Sequence, residues 1–323
     1  MVLAMSTALT VSSRTTDLVV PAADAERARG YANAEKAAAT RRAYGTDFSI
    51  FRAWCEERQL DAVPASPATV AVFLAHEASR NVKASTIGRR VAAIKYAHKL
   101  VGLDTPTDDE RVKTTVRGIR RTLGTARAKK APATAERLLA MAASTGAGLK
   151  GLRDRALLLL GFAGAFRRSE LVALDVSDVE DTPEGMKVTI RRSKTDQEGA
   201  GQIIAIPLGK IACPIDALKE WIVAAGIQSG AIFRSINRHG RIGGRLTDQS
   251  VSDVVKEHAA RLRLDPNQFA GHSLRAGFLT SAASRGASIF KMMDVSRHRS
   301  IDTLRGYVRD AELFKDHAGA GLL

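Results

Sequence analysis

The chain of 323 residues is poor in cysteine, in aromatic residues and in long apolar stretches. Its two cysteines, Cys55 and Cys213, cannot build a disulfide framework and match no metal-ligand pattern. Aromatic residues make up 5% of the chain, so its core must rest on aliphatic side chains. The longest uncharged apolar run, at 156–166, is too short to span a membrane, and the start of the chain lacks a secretory signal pattern. We therefore expect a soluble cytoplasmic protein.

Motifs that bind nucleotides or metals are also missing. The sequence has no glycine-rich phosphate loop followed by Lys and Ser or Thr, which argues against ATP as a substrate. It has no His-Glu-x-x-His, no cysteine quartet and no tight Asp/Glu cluster, so zinc chemistry and two-metal nuclease chemistry have no support. We therefore expect no cofactor and no metal, and we expect the chain's own cations to stabilise phosphate charge.

Positive charge is what the chain has in excess. Its 49 Lys and Arg residues exceed its 34 Asp and Glu residues by 15. Residues 81–130 hold 13 basic and 4 acidic side chains, a local excess of 9. Charge concentrated in this way favours a nucleic-acid partner over a merely solvated surface. The candidate DNA-binding residues are Arg41, Arg42, Lys83, Thr86, Arg89, Arg90, Lys95, Arg117, Arg120, Arg121, Lys129 and Lys130.

Apolar spacing separates a helical part of the chain from a mixed part. The helical part has an aromatic stripe that includes Phe51, and Ser66 is placed to cap a helix that begins at Pro67. The mixed part has helices and one hairpin, with strands at 187–191 and 203–206. The predicted divisions are a flexible tail at 1–25, a helical domain at 26–124, a basic linker at 125–134, a mixed domain at 135–310 and a C-terminal segment at 311–323.

Side chains suited to phosphate chemistry occur in three segments of the mixed part. One is an Arg-Arg-Ser-Glu-Leu sequence after an apolar helix, one is a His-x-x-Arg sequence, and one is a histidine followed nine residues later by a tyrosine. A lysine lies in the polar loop of the predicted hairpin. Any one of these segments, taken alone, more often has a structural role, so the prediction depends on their combination and order. The candidate catalytic residues are Arg167, with its neighbour Arg168 as a rival, Lys194, His272, Arg275, His298 and Tyr307, with Glu170 in support.

In this order the segments resemble the tyrosine recombinases, also called the phage integrase family. Arg167 begins a sequence similar to the family's Arg-x-Ser-Glu-Leu, and His272 and Arg275 match its His-x-x-Arg box. His298 and Tyr307 match the second histidine and the nucleophile at the family's usual spacing. The resemblance implies a mainly α protein with a small β-sheet, in which an all-helical core-binding domain of the SAM-like type precedes a mixed α/β catalytic domain.

Two short sequences depart from the family pattern. Ser296-Arg297 stands where the family commonly has Leu-Gly before the second histidine, and Ala165-Phe166 stands where it commonly has Gly-Leu before the first arginine. Neither change removes a reactive group. Replacing glycine by arginine changes the backbone freedom beside His298, so the orientation of that histidine is the point most open to change.

The resemblance implies that Tyr307 attacks a DNA phosphate and forms a 3′-phosphotyrosine, with a 5′-hydroxyl as the leaving group. His272 would act as the acid/base, Arg167 and Arg275 would hold the phosphate oxygens, and His298 would donate a further hydrogen bond. Lys194 would protonate the leaving oxygen. The reaction would serve site-specific integration, excision or resolution of a mobile element or replicon.

The resemblance also implies how the protein assembles on DNA. The two domains would grip opposite faces of one duplex site, and four copies would join two sites in a synaptic tetramer. The C-terminal segment at 311–323 would pack into a neighbouring copy. An accessory DNA-binding protein is a further candidate partner.

Three other readings stay open at this point. A type IB topoisomerase uses similar chemistry to relax supercoils, but the separate basic helical part and the short chain favour a recombinase. A non-catalytic DNA-binding relative would be attractive if a reactive residue were missing, and none is. A plain RNA-binding protein is disfavoured because no sheet motif bearing aromatic residues is present.

Overall fold

The computed structural model describes residues 23–24, 26–27, 30–31, 35–126, 130–193, 196, 199 and 201–311. The chain divides into two compact units, Met1–Ala128 and Lys129–Leu323. The predicted tail lies mainly outside the described residues, as do the centre of the predicted linker and all but the first residue of the C-terminal segment. Among the described helices, none combines the length and the apolar content that crossing a lipid bilayer requires.

The first unit is helical throughout its described part. Its helices are α1 (Ala38–Glu56), α2 (Pro67–Ser79), α3 (Ala84–Leu100) and α4 (Glu110–Leu123). The aromatic stripe of α1 packs inward, with the Phe51 ring 4.9 Å from that of Phe73 on α2. Ser66 accepts a hydrogen bond from the backbone N–H of Thr69 at 3.0 Å, so the predicted cap before Pro67 is confirmed.

The second unit is mixed. Its helices are α5 (Ala135–Ala143), α6 (Leu149–Ala163), α7 (Arg168–Ala173), α8 (Pro214–Ala224), α9 (Asp248–Arg261), α10 (His272–Ser284), α11 (Ile289–Ser296) and α12 (Ile301–Ala311). Its strands are β1 (Val179–Thr182), β2 (Gly185–Ile190), β3 (Gln202–Pro207), β4 (Arg234–Ile236) and β5 (Ile242–Arg245). The expected fold class, mainly α with a small β-sheet, is confirmed.

The sheets are short and antiparallel. Strands β1, β2 and β3 form one sheet in that order, and Val188 on β2 pairs with Ile204 on β3. These two strands confirm the predicted hairpin, which exists because alternate apolar residues bury one face of it. Strand β1 and the separate β4–β5 hairpin were not predicted, because their side chains are mostly exposed and show no apolar alternation.

Helix α6 runs through the core of the second unit. Leu157, Leu158, Leu159 and Leu160 are all buried, so this helix is covered on every side over that stretch. A buried helix of this kind gives a rigid support to the turn that follows it, where the first candidate catalytic residue lies.

A smaller apolar cluster joins the last three helices. Leu279 of α10, Met292 of α11 and Leu304 of α12 are buried against one another, and Tyr307 packs partly on them. This packing holds α12 against α10, the helix that begins at His272. It therefore brings two of the candidate catalytic side chains to the same place.

Candidate active site

A tight turn between α6 and α7 carries the first candidate catalytic arginine. A Cβ atom on Gly164 would come within 2.3 Å of the Phe166 ring, so only glycine fits there. Ala165 has φ 45°, in the left-handed region that residues with side chains rarely adopt. Arg167 follows directly as the residue that caps α7. The turn thus fixes the positions of the Gly164 and Ala165 carbonyl groups and of Arg167 relative to one another.

Glu170 is buried beneath this turn and binds two arginines. Its Oε1 accepts a hydrogen bond from Arg167 Nη1 at 2.6 Å, and its Oε2 accepts one from Arg297 Nη2 at 2.7 Å. The backbone N–H of Arg167 also donates to Oε2 at 2.9 Å. Burial alone would raise the pKa of the Glu170 carboxyl, but Arg297 and Arg167 together lower it below its ordinary value. The carboxylate is therefore ionised and orients Arg167.

Arg275 on α10 is almost fully buried, at 1% exposure. Its Nη1 donates to the Ala165 carbonyl oxygen at 2.7 Å, and its Nη2 lies 3.2 Å from a ring nitrogen of His298. Burial, reinforced by the charges of Arg167 and Arg297, lowers the pKa of Arg275 to about 9. The guanidinium therefore stays charged at neutral pH. Two arginines thus meet around one turn, although 108 residues (275 − 167) separate them in the sequence.

His298 is held by Ser296 and Arg275. Ser296 Oγ donates its only proton to the Met292 carbonyl at 2.6 Å, so it accepts a hydrogen bond from His298 Nδ1 at 2.7 Å. Nε2 is then the unprotonated nitrogen, 3.2 Å from Arg275 Nη2. Burial and then the charge of Arg275 lower the pKa of His298 to about 4, so the ring is neutral at neutral pH.

The hydrogen bond from His298 to phosphate stays a prediction, and the described contacts of this side chain are all with protein. Ser296 Oγ binds Nδ1, and Arg275 Nη2 lies 3.2 Å from each of the two ring nitrogens. The His298 side chain is thus in contact with Arg275.

Tyr307 meets His272 at the start of α10. The Tyr307 hydroxyl lies 3.4 Å from His272 Nε2. The protein around the His272 ring, reinforced by the charges of Arg275 and Arg167, lowers the pKa of this imidazole although part of it reaches the surface. A neutral imidazole accepts a proton, so this contact pairs a phenol with a base. Tyr307 also lies close to Arg275, and its interaction with that guanidinium raises the pKa of Arg275 and so offsets part of the lowering.

Lys194 lies outside the described residues. The base of its hairpin is described, and there the backbone N–H groups of Ser193 and Asp196 each donate to the other's carbonyl oxygen, at 3.2 and 3.1 Å. The Asp196 carboxylate also accepts the backbone N–H groups of Gly199 and Gly201. Within the described ranges, no group of three His, Cys, Asp or Glu side chains converges as a metal site would.

The candidate DNA-binding residues of the first unit fall into distinct environments. Four are exposed and have no acidic partner among the described residues: Arg42, Lys83, Arg120 and Arg121. Three others are bound to carboxylates, Arg89 to Asp47, Lys95 to Asp108 and Arg117 to Glu110. Arg41 and Thr86 are half-buried, and Lys129 lies outside the described residues. Lys130 belongs to the second unit and donates to the Asn267 carbonyl at 2.5 Å.

The structure corrects one of these assignments, that of Arg90. This residue is only 8% exposed and forms an ion pair with the buried Glu77. A second buried carboxylate, that of Asp47, lies 3.8 Å away. Arg89, its neighbour on α3, points outward because successive helical positions lie about 100° apart. Arg90 therefore stabilises the helical unit and is withdrawn from the set of DNA contacts.

A basic hairpin in the second unit was missed by sequence reasoning. Strands β4 and β5 present Arg238, His239 and Arg241 at an exposed tip. At its base, Arg245 donates to the Val172 carbonyl at 2.8 Å and also binds Asp175. Its charge could have been found from the sequence, since four arginines occur between positions 234 and 245 around an Asn-Arg-His-Gly segment, but its strands could not.

A helical unit followed by a mixed unit, with this set of side chains on the mixed unit, is typical of site-specific tyrosine recombinases. Residues 131–313 match the model described as the phage integrase family, and residues 31–101 match its N-terminal SAM-like domain. The chain therefore belongs to the phage integrase family, and it is an enzyme that recombines DNA at specific sites.

Individual relatives agree with this assignment. The chain is 40% identical over 290 residues to an integrase/recombinase xerD homolog of Selenomonas ruminantium, covering 88% of this chain and 85% of that protein. It is 30% identical over 286 residues to a tyrosine recombinase of Synechococcus elongatus, covering 83% of each. Its fold is similar to that of the XerH recombinase in a post-cleavage complex with its difH substrate, with a TM-score of 0.59, 16% identity and coverage of 80% of this chain and 72% of that one.

Proposed function

We propose that this recombinase cleaves DNA through Tyr307 and rejoins it through the resulting phosphotyrosine. The observation that carries this proposal is the position of the Tyr307 hydroxyl, 3.4 Å from a neutral His272 and close to the buried Arg275. A phenol with an ordinary pKa near 10 is a weak nucleophile at neutral pH, so it needs a base and a cationic surrounding. Both are present at this point.

In the cleavage step, the Tyr307 oxygen forms a bond to phosphorus while its proton passes to His272 Nε2. The bond from phosphorus to the 5′-oxygen breaks, and Lys194 supplies the proton that this oxygen needs. The products are a 3′-phosphotyrosine and a 5′-hydroxyl. The number of phosphate ester bonds is unchanged, so no nucleotide cofactor enters the balance.

The charge that develops on the non-bridging phosphate oxygens requires fixed donors. Arg167 and Arg275 are planar cations that bind oxygen pairs well, and Glu170, the Ala165 carbonyl and His298 hold them in place. Donors preorganised in this way stabilise a transition state by about 3–4 kcal/mol each.

Rejoining reverses the same steps with a different strand. The 5′-hydroxyl of a partner strand gives its proton to Lys194, which cleavage left neutral, and attacks the phosphotyrosine, while His272 returns a proton to the leaving Tyr307 oxygen. An exchange of partners between the two halves of the reaction yields a recombinant strand.

The proposal that DNA is the partner rests on the charge of the chain and on its relatives. The exposed cations of the helical unit, such as Arg120, and the tip of the basic hairpin, such as Arg238, are suited to phosphate backbones. The XerH structure named above contains its difH site. We propose a double-stranded recombination site as substrate, contacts to it from both units, and the cytoplasm as the place of action.

A synaptic tetramer is part of the same proposal. An apolar cavity of about 550 Å³ in the second unit is lined by Leu138, Leu159, Phe162, Leu208 and Ile211, among others. Ile211 is 82% exposed, which is unusual for so large an apolar side chain. The C-terminal segment 311–323, of which residues 312–323 lie outside the described residues, contains Leu313, Phe314, Leu322 and Leu323. We propose that it occupies this cavity in a neighbouring copy.

The test compares the wild-type protein with Tyr307→Phe. In cells, DNA joined covalently to the wild-type protein is recovered and sequenced, which defines the target site. A nicked suicide substrate with that site should then trap a protein–DNA adduct for the wild type. Tyr307→Phe should bind the site with similar affinity and form no adduct.

An adduct that survives in Tyr307→Phe would mean that another residue is the nucleophile. Chelator is expected to leave cleavage unchanged, and loss of cleavage in EDTA would contradict a scheme that uses only protein cations. A protein that relaxes supercoiled plasmid without a preferred site would be a topoisomerase.

A further inference from the structure

Arg297 is a buried cation next to the reaction site that the proposed mechanism does not use. It follows α11 with φ 58° and ψ 39°, a left-handed conformation that glycine adopts without strain. Its backbone N–H donates to the Met293 carbonyl at 2.7 Å and so closes the end of α11. A residue with a long side chain at this position requires contacts that compensate for the strained backbone.

The guanidinium of Arg297 makes such contacts across the core. Nη1 donates to the Gly164 carbonyl at 3.0 Å, and Nη2 donates to the Ala165 carbonyl at 3.1 Å. Nη2 also donates to Glu170 Oε2 at 2.7 Å, and the group lies 5.4 Å from the centre of the Phe166 ring. One side chain therefore binds the turn before Arg167 and the acid after it.

Arg297 shares one acceptor with each catalytic arginine. Glu170 receives Arg297 on one carboxylate oxygen and Arg167 on the other. The Ala165 carbonyl receives Arg297 and Arg275 together. The three guanidinium groups are thus linked through two acceptors into one arrangement.

We propose that Arg297 is a positioning residue of the cleavage reaction, which holds Glu170 and the Ala165 carbonyl so that Arg167 and Arg275 present their remaining donors to the scissile phosphate. This inference rests on the proposed function. It assigns a role to a residue that occupies a position where glycine would be sufficient for the backbone.

Charge gives a second reason for this role. Two guanidinium groups bind the one carboxylate and a third, that of Arg275, lies beside them, so the site keeps an excess of positive charge for the phosphate. Without Arg297, Glu170 would be neutralised by Arg167 alone, and Arg167 would be drawn toward the carboxylate and away from substrate. Burial lowers the pKa of Arg297, and Glu170 opposes that shift, so the two groups keep each other ionised.

The decisive variant is Arg297→Gly, which suits the left-handed backbone and removes only the side chain. Its rate of adduct formation on the suicide substrate should fall about 10- to 100-fold, while its affinity for the site stays within about twofold of wild type. Guanidinium ion at a concentration that does not denature the protein should restore part of the rate, and sodium chloride at equal ionic strength should not. In a Glu170→Gln background, the loss caused by Arg297→Gly should be clearly smaller, because the two residues act as one unit.

Arg153→Lys is the matched control. Arg153 is equally buried, binds the acidic Asp154 and contacts none of the site residues, so its substitution should lower the melting temperature and leave the cleavage rate unchanged. A wild-type cleavage rate in Arg297→Gly would overturn the proposal. So would a loss of rate in the double variant that equals the two single losses added together in free energy.

If Arg297→Gly does not fold, a second variant tests the proposal. Arg297→Lys keeps the charge but cannot bind Glu170 and two carbonyl groups at once, so its cleavage rate should also fall while binding is kept. A wild-type rate in this variant would overturn the proposal. If the wild-type protein itself forms no adduct that depends on Tyr307, the proposed function fails, and that result is distinct from a failure of Arg297.

Discussion

The Tyr307 hydroxyl lies 3.4 Å from Nε2 of His272, so the proposed nucleophile and the proposed base are within reach of one another although 35 residues separate them. Tyr307 is carried by α12 and His272 by the first turn of α10, and a small apolar cluster that includes Leu304 packs these helices together. The distance between the two reacting groups therefore depends on the packing of helices outside the main core.

The first prediction concerns pH. Because the protein lowers the pKa of His272 below its ordinary 6.5, this imidazole stays neutral and able to accept a proton throughout the neutral range. The single-turnover cleavage rate should therefore be flat near pH 7 and should fall as pH drops through the lowered pKa, where protonation removes the base. A rate that rises on acidification below pH 6 would show that His272 acts first as an acid.

The second prediction concerns Arg275. Arg275→Lys should reduce the cleavage rate by about 100-fold or more, because an ammonium cannot bind the Ala165 carbonyl, His298 and a phosphate in the geometry of the guanidinium. The measurement is single-turnover adduct formation at saturating protein. Arg263→Lys, an exposed change in the turn that follows α9, is the control and should cleave normally. Equal rates for the two variants would remove Arg275 from the mechanism.

The third prediction concerns assembly. Deleting residues 311–323 should weaken the joining of two sites more than binding to one, and Ile211→Asp should do the same from the cavity side. Gel-shift assays with one and two sites separate these effects. Val223→Asp is the control, since Val223 is similarly exposed, at 79%, and does not line the cavity. Equal losses of single-site binding and synapsis would argue against exchange of the segment.

The fourth prediction separates folding from DNA contact in the helical unit. Arg90→Ala should destabilise the protein by about 3–5 kcal/mol, because it leaves the carboxylates of Glu77 and Asp47 buried with less compensation. Arg120→Ala should leave the melting temperature unchanged and reduce the salt dependence of DNA binding by about one phosphate contact. Thermal unfolding and salt titrations test the two expectations, and an unchanged melting temperature for Arg90→Ala would contradict the first.

Much of the fold follows from local patterns. The cap at Ser66 and the β2–β3 hairpin were predictable because each depends on residues close in sequence. The β4–β5 hairpin was not, because its glycine-rich second strand and exposed arginines resemble a loop. The division of Arg89 and Arg90 between surface and core was also hidden, since two adjacent basic residues give no sign of which one meets a buried acid.

By itself, the sequence determined the family and the set of candidate reactive side chains, because motif spacing and charge are properties of the chain alone. Only the tertiary structure decided how those side chains act on one another. Arg297 and Glu170 are 127 residues apart and form their ion pair at 2.7 Å because α11 ends against the turn after α6. A contact of that kind depends on how whole helices pack, and no local pattern of residues encodes it.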